Sequence, residues 1–162
     1  MTFFRAGIGN DVHRLASGRK LVLGGVRIPS EKGPVSHSDG DALAHAICDA
    51  LLGAAALGDI GRHFPDTSPQ WRGVSSLLFL RRIRRLLRDA GYTILNIDAT
   101  VGLEAPKLAL HIPRMQKKLA AALGLDAGQI SVKAKTGEGL DAIGRGEAVR
   151  ADAIALIGNI SS

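Results

Sequence analysis

The sequence predicts an α+β fold, a single domain in which helices pack on one face of a mixed sheet. Three observations lead there. Leu95, Ile97, Ala99, Val101 and Leu103 alternate with Asn96, Asp98, Thr100 and Gly102, the two-residue period of a half-buried strand. Leu77, Leu80, Ile83, Leu86 and Leu87 recur instead at helical spacing. Strand and helix patterns interleave along the chain, which favours a sheet covered by helices. With 162 residues, 46% hydrophobic and 22% charged, the chain fits one globular domain, residues 1–162, large enough to bury a core.

Taken in order, Phe3–Gly9 reads as a short strand with a glycine-rich end. Leu21–Leu23 and Val26–Ile28 flank Gly24-Gly25, a two-residue hairpin signal. A loop rich in Ser, Gly and Pro is expected from Pro29 to His37. Ser38 is placed to cap a helix, with Asp41 three residues on in the acidic position of a capping box, and the helix is expected to reach about Leu57. Gly58-Asp59-Ile60-Gly61 ends it, and Phe64-Pro65-Asp66 continues as an irregular loop. A second helix spans about Ser75 to Ala90, and the alternating strand Leu95–Leu103 follows. Pro113 suits the first turn of a third helix ending near Leu123-Gly124. Ile130–Ala134 and Ala148–Ile157 read as the last strands.

Aromatic residues make up only 4% of the chain, so small aliphatic side chains must build the core. The 20 glycines suggest close backbone approach to a ligand as well as turns. A net charge of +6 suggests nucleic acid first and a small anionic substrate second. Much of the excess lies in Arg81, Arg82, Arg84, Arg85 and Arg88, at helical spacing with no aromatic residue between them to stack bases. That stretch reads as a solvated helix face. Cys48, the single cysteine, allows no internal disulfide and reads as a small core residue. No run is long enough to span a bilayer and the first residues do not resemble a secretory signal, so a cytoplasmic protein is expected.

Several groups of residues have chemical potential. On an extended segment Asp11 and His13 project to the same face and can converge on one ion. Alone, the pair reads rather as a turn carboxylate and a surface histidine. His45 either adds a third ligand from a helix, with Asp41 and Asp49 one turn away on either side and able to orient its ring, or is a core histidine bonded to a helix neighbour. Two histidines and one carboxylate with a vacant fourth position describe a catalytic zinc site. Gly58–Gly61 and Phe64–Thr67 offer backbone amides to phosphate or sugar oxygens, or form an ordinary helix end and turn. Lys133–Glu138 either offers ammonium groups, a hydroxyl and a carboxylate suited to phosphate and Mg²⁺, though not with P-loop spacing, or forms a solvated turn. Gly144-Arg145-Gly146-Glu147 either presents a guanidinium to an anion or forms an exposed turn with an ion pair.

Taken jointly, Asp11-Val12-His13, His37 to His45, Leu57 to Gly61, Phe64-Pro65-Asp66-Thr67, Ala105-Pro106-Lys107, His111-Ile112-Pro113 and Gly144 to Glu147 resemble the 2-C-methyl-D-erythritol 2,4-cyclodiphosphate synthase family. The likeness runs from about Arg5 to Ile157. It implies that the 2-phosphate of 4-diphosphocytidyl-2-C-methyl-D-erythritol 2-phosphate attacks the β-phosphorus of the same molecule and releases CMP, a step of non-mevalonate isoprenoid biosynthesis. It implies zinc at Asp11, His13 and His45, and Mg²⁺ or Mn²⁺ near Glu138. His37 and Thr136 match positions that stabilise the transition state. Ser38, Asp59, Gly61, Phe64 and Asp66 match the surroundings of the erythritol phosphate. Ala105, Pro106 and Lys107 match the cytidine pocket, with Lys135 near the diphosphate and Arg145 near a threefold axis.

The resemblance further implies a homotrimer with each site shared between neighbouring subunits, and no nucleic-acid or membrane partner. Lys135-Thr136-Gly137-Glu138 departs from the Thr-Thr-Thr-Glu of many members, and Asn10 and Ala142 stand where many carry phenylalanine. Two other readings use subsets of the same residues. A metal-dependent phosphoesterase would activate water at the triad, and a basic RNA-binding module would use the arginine helix.

Overall fold

The computed structural model describes residues 3–159. Seven strands run as β1 (Phe4–Ser17), β2 (Leu21–Leu23), β3 (Val26–Ile28), β4 (Lys32–Pro34), β5 (Tyr92–Gly102), β6 (Ile130–Lys135) and β7 (Ala148–Asn159). Five helices, α1 (Ala42–Ala54), α2 (Ile60–His63), α3 (Ser76–Asp89), α4 (Ile112–Leu123) and α5 (Asp141–Gly144), lie between them. The main sheet has the order β4-β1-β7-β5-β6, and β2 and β3 form a separate hairpin. Strand β6 pairs parallel to β5, while the other ladders are antiparallel, so the sheet is mixed as expected.

Alternation assigns the two faces of this sheet. Val149, Ala151, Ala153, Ala155 and Ile157 of β7 and Ile97, Ala99 and Val101 of β5 are buried against the helices. On the other face Ile8 and Ile154 pair directly across β1 and β7, yet are 73% and 53% exposed. Phe4 and Val12 join them. One sheet face is therefore covered by helices, and the other leaves a row of apolar side chains bare along β1 and β7, beside the exposed Arg150–Asp152 ion pair.

Helix α1 is the centre of the core. Nearly all of its residues are buried, and many are alanines, because it lies directly on β1. A Cβ at Gly7 would sit 2.1 Å from the carbonyl oxygen of Ala50, and one at Gly9 the same distance from that of Ala46. These glycines serve helix-on-strand contact rather than a ligand. They also do not end the strand: β1 continues through Asp11 and His13 to Ser17.

Further local expectations need correction. The loop expected from Pro29 to His37 contains β4, which pairs with the end of β1 at Leu15–Ser17. The cap of α1 is Asp41, not Ser38, and the helix ends at Ala54 rather than Leu57. Asp41 is fully buried. One of its carboxylate oxygens accepts from the Ala44 and Gly24 amides at 3.0 and 2.9 Å, and the other from Gly25 at 2.6 Å. Gly24 and Gly25 have φ of 56° and 71°, the left-handed pair that a tight hairpin needs. The carboxylate thus ties the hairpin tip to the start of α1. Helices α3 and α4 match expectation, with Gly124 at φ 66° closing α4, whereas the short α2 and α5 fall where a helix end, loop or turn was expected.

Candidate functional site

Asp11 and His13 sit two apart on β1, so both project toward the helix layer, where α1 supplies His45. Asp11 Oδ2 lies 2.8 Å from His13 Nε2 and 3.1 Å from His45 Nδ1, and the two nitrogens are 3.3 Å apart. Among the described residues these three side chains form a group placed to hold one metal ion. The spacings fit the donor set: ligands at about 2.0–2.1 Å on a tetrahedral ion are separated by roughly 3.3 Å. Three lone-pair donors turned on one point in a part-buried site repel unless a cation or a proton lies among them.

The electrostatics reflect that crowding. Burial pushes Asp11 up, but hydrogen bonds and charge from His13 and His45 outweigh it and hold the carboxyl well below the usual range. Burial pushes His45 down, and the Asp11 carboxylate beside Nδ1 outweighs it, so the imidazolium is favoured overall.

The acidic neighbours in the His45 helix do not orient its ring. Asp41 turns to the hairpin, and Asp49 accepts from the Ile60 amide at 2.7 Å. The far edge of the ring is held instead by hydroxyls. Nε2 lies 2.8 Å from Ser76 Oγ at the start of α3 and 3.2 Å from Ser38 Oγ.

The triad opens on a cavity of 530 Å³ lined by His13, His37, Ser38, His45, Gly61, Phe64 and Asp66. Seven sequence-derived positions thus share one space. Ile60 of the Gly58–Gly61 segment, with Trp71 and Phe79, which the sequence did not single out, supplies its apolar wall. Phe64 stacks on Phe79 at 4.5 Å, and Trp71 meets Phe64 edge-on at 5.3 Å. The buried indole N–H of Trp71 has no acceptor among the described residues. His37 Nε2 lies 3.1 Å from the Ser68 carbonyl oxygen. Asp59 caps α2 by accepting from the Arg62 amide at 2.9 Å, close to this cavity in sequence but exposed.

The remaining candidates lie elsewhere on the chain. Ala105, Pro106 and Arg145 line a different cavity, of 460 Å³. Arg145 is ion-paired with Glu147 at 3.1 Å, the exposed-turn alternative. Lys135 ends β6, and Thr136 Oγ1 donates to Glu138 Oε1 at 2.9 Å just beyond it. Lys107 is exposed, outside both cavities. Strand β6 is three places from β1 in the sheet, about 14 Å at the usual strand spacing. A single chain therefore carries two separated groups of candidate residues.

An α+β domain that brings one carboxylate and two imidazoles to the edge of a ligand-sized cavity has the makings of a metal-dependent enzyme for a small substrate. The YgbB family model matches residues 4–158, and the chain belongs to that family. A relative from Desulfosudis oleivorans named 2-C-methyl-D-erythritol 2,4-cyclodiphosphate synthase is 59% identical over 153 residues, covering 94% of this chain and 91% of its own. A solved 2C-methyl-D-erythritol-2,4-cyclodiphosphate synthase in a CDP-bound form is 44% identical, with a TM-score of 0.87 over 94% of this chain and 99% of that one. The bifunctional IspDF of Campylobacter jejuni gives a TM-score of 0.95 at 38% identity over 99% of this chain, which spans only 44% of that protein.

Proposed function

We infer that this chain cyclises 4-diphosphocytidyl-2-C-methyl-D-erythritol 2-phosphate to 2-C-methyl-D-erythritol 2,4-cyclodiphosphate with release of CMP. The observation that carries this is the convergence of Asp11, His13 and His45 on one point beside a ligand-sized cavity, in a chain 59% identical to a named synthase. In the reaction an oxygen of the 2-phosphate forms a bond to the β-phosphorus. The bond from that phosphorus to the bridging oxygen breaks, and CMP leaves with the electron pair. The obstacle is the approach of one phosphate to another, so catalysis consists largely of positioning and charge stabilisation.

Asp11 Oδ2, His13 Nε2 and His45 Nδ1 would hold a zinc-like ion, which supplies Lewis-acid polarisation of a phosphoryl oxygen when bound. His37, Ser38, Asp59, Gly61, Phe64 and Asp66 surround the erythritol phosphate. With Nε2–H of His37 donated to the Ser68 carbonyl, only the protonated ring also donates from Nδ1 to phosphate. Ala105, Pro106 and Lys107 take the cytidine, and Arg145 lies toward the subunit axis. Thr136 donates to the diphosphate, Lys135 adds charge beside it, and Glu138 binds a second ion, Mg²⁺ or Mn²⁺.

The working unit in this reading is a homotrimer. Two features support it: the two groups of site residues lie three strands apart, and the apolar sheet face of Phe4, Ile8, Val12 and Ile154 is bare. Neighbouring copies would cover that face and bring the triad cavity of one chain to the Thr136–Glu138 segment of the next.

The deciding experiment is to incubate the protein with the cytidine diphosphate substrate and identify the products by phosphorus NMR. Cyclic diphosphate with CMP is expected. An open monophosphate would establish hydrolysis instead. His45→Ala should lose metal and CMP release while staying folded, and turnover by a metal-free His45→Ala protein would refute the ligand assignment.

A further inference from the structure

The edge of the His45 ring that faces away from the triad is tied into a chain of hydrogen bonds. Nε2 is 2.8 Å from Ser76 Oγ, and Ser76 Oγ is 2.5 Å from Asp39 Oδ1. The Ser76 amide donates to Asp39 Oδ2 at 2.9 Å, and the Asp41 amide to Oδ1 at 3.2 Å. A serine hydroxyl has one proton, and an ionised carboxylate can only accept. The Ser76 proton is therefore committed to Asp39, which leaves the Ser76 oxygen to accept from Nε2. Ser76 is completely buried, so no bulk water competes for that place.

We propose that Asp39 and Ser76 are positioning residues that fix His45 as the Nε2–H tautomer and so keep the Nδ1 lone pair directed at the metal. The order runs Nε2–H to Ser76 Oγ–H to Asp39. A carboxylate that dictates a histidine tautomer in this way, directly or through a hydroxyl, also sets the ring angle and raises the basicity of the ligating nitrogen. Ser38 Oγ, at 3.2 Å from Nε2, already accepts from the Gly40 amide at 3.3 Å and is the more distant partner.

Asp39→Asn is the sharp test, because it changes one donor–acceptor relation at nearly constant shape. One position of the carboxylate accepts from the Ser76 amide, and the other from the Ser76 hydroxyl and the Asp41 amide. An amide side chain has only one oxygen, so it must present N–H to one of these donors. With its NH₂ toward Ser76 Oγ, the hydroxyl proton turns toward His45 and favours Nδ1–H, which blocks coordination. With its NH₂ toward the Ser76 amide, the neutral side chain pushes Ser76 away, and in either case Nε2–H loses its oriented acceptor.

The inference rests on the metal-triad reading and is tested on chelated full-length protein titrated with Zn²⁺ and with Co²⁺. Asp39→Asn and Ser76→Ala are each expected to weaken binding of both ions by about 10–100-fold. The tautomer is read separately by ¹⁵N NMR of labelled histidines at alkaline pH. Wild type should show Nε2–H at His45, Asp39→Asn should gain Nδ1–H, and Ser38→Ala should match wild type. Nδ1–H in the wild type would overturn the inference without any variant having to fold. So would wild-type metal affinity in both variants, or a lowered melting temperature with tautomer and affinity unchanged. If wild type binds neither ion, the triad reading falls and this inference with it.

Discussion

Nδ1 of His45 lies 3.1 Å from Oδ2 of Asp11, and this contact pulls the two groups apart in acidity. Asp11 is held low and His45 high, so in the metal-free chain the pair is most favourable as carboxylate with imidazolium. The depressed Asp11 contributes stability above its unfolded value of 3.8 that is lost as pH falls through its folded value. The raised His45 contributes stability below 6.5 that is lost as pH rises through its folded value. Chelated wild type should therefore lose melting temperature on passing from about pH 6.5 to 9, and His45→Gln should lose less. Bound metal takes the place of the proton, so the gain in melting temperature on adding Zn²⁺ should grow over that interval.

Glu138 has φ of 52° and accepts from Thr136 Oγ1, a turn that presents its carboxylate outward beyond β6. Glu138→Gln should raise the Mg²⁺ concentration needed for half-maximal turnover by at least about tenfold, as expected when a hard cation loses a carboxylate ligand. Zinc content measured on the same sample should not change. A Mg²⁺ requirement like that of wild type would remove Glu138 from this role.

Gly9 is in contact with α1, and a methyl group there would meet Ala46 O at 2.1 Å and Ala50 N at 2.5 Å. Gly9→Ala should cost about 1–3 kcal/mol or more in urea unfolding, the range for forced overpacking. Gly128→Ala is the control, since nothing lies within 4 Å of its added carbon. Equal midpoints for the two variants would contradict the close contact.

Ile8 and Ile154 stand opposite each other on the bare sheet face. Ile8→Asp should convert the proposed trimer into monomers in sedimentation velocity, with turnover lost and the far-UV spectrum kept. A wild-type monomer with full activity would remove the shared-site reading.

Much of this architecture could be read from periodicity. The alternation through Ile97, Ala99 and Val101 and the glycine pair at 24–25 are local signals, and they carried through to the fold. The errors arose where a distant partner decided the outcome. Ser38 and Asp41 formed a plausible cap in sequence, but Asp41 caps the helix itself because the hairpin tip delivers two more amides to it. Gly9 looked like a strand end because only the packed helix explains it. Strand β4 has no hydrophobic period and exists through pairing with β1. Within the site, Asp11, His13 and His45 were legible through residue type and resemblance. Ser76 and Asp39 were not, since a buried serine opening α3 carries no signal in sequence that a histidine lies beside it.

Backbone contact between β1 and α1 reaches beyond the hydrophobic layer. Gly7 meets Ala50 and Ala54, Gly9 meets Ala46 and Ala50, and two residues further along the strand Asp11 meets His45. Each step of two along the strand matches about one turn down the helix, so the triad is the next rung of a ladder whose lower rungs are bare main chain. The separation of the two backbones that carry its members is inherited from that main-chain contact, while Ser76 and Asp39 hold the His45 ring within it. Aliphatic exchanges deeper in the protein should leave the ion's seat undisturbed, whereas one extra carbon at either glycine would unseat it from more than a helical turn away.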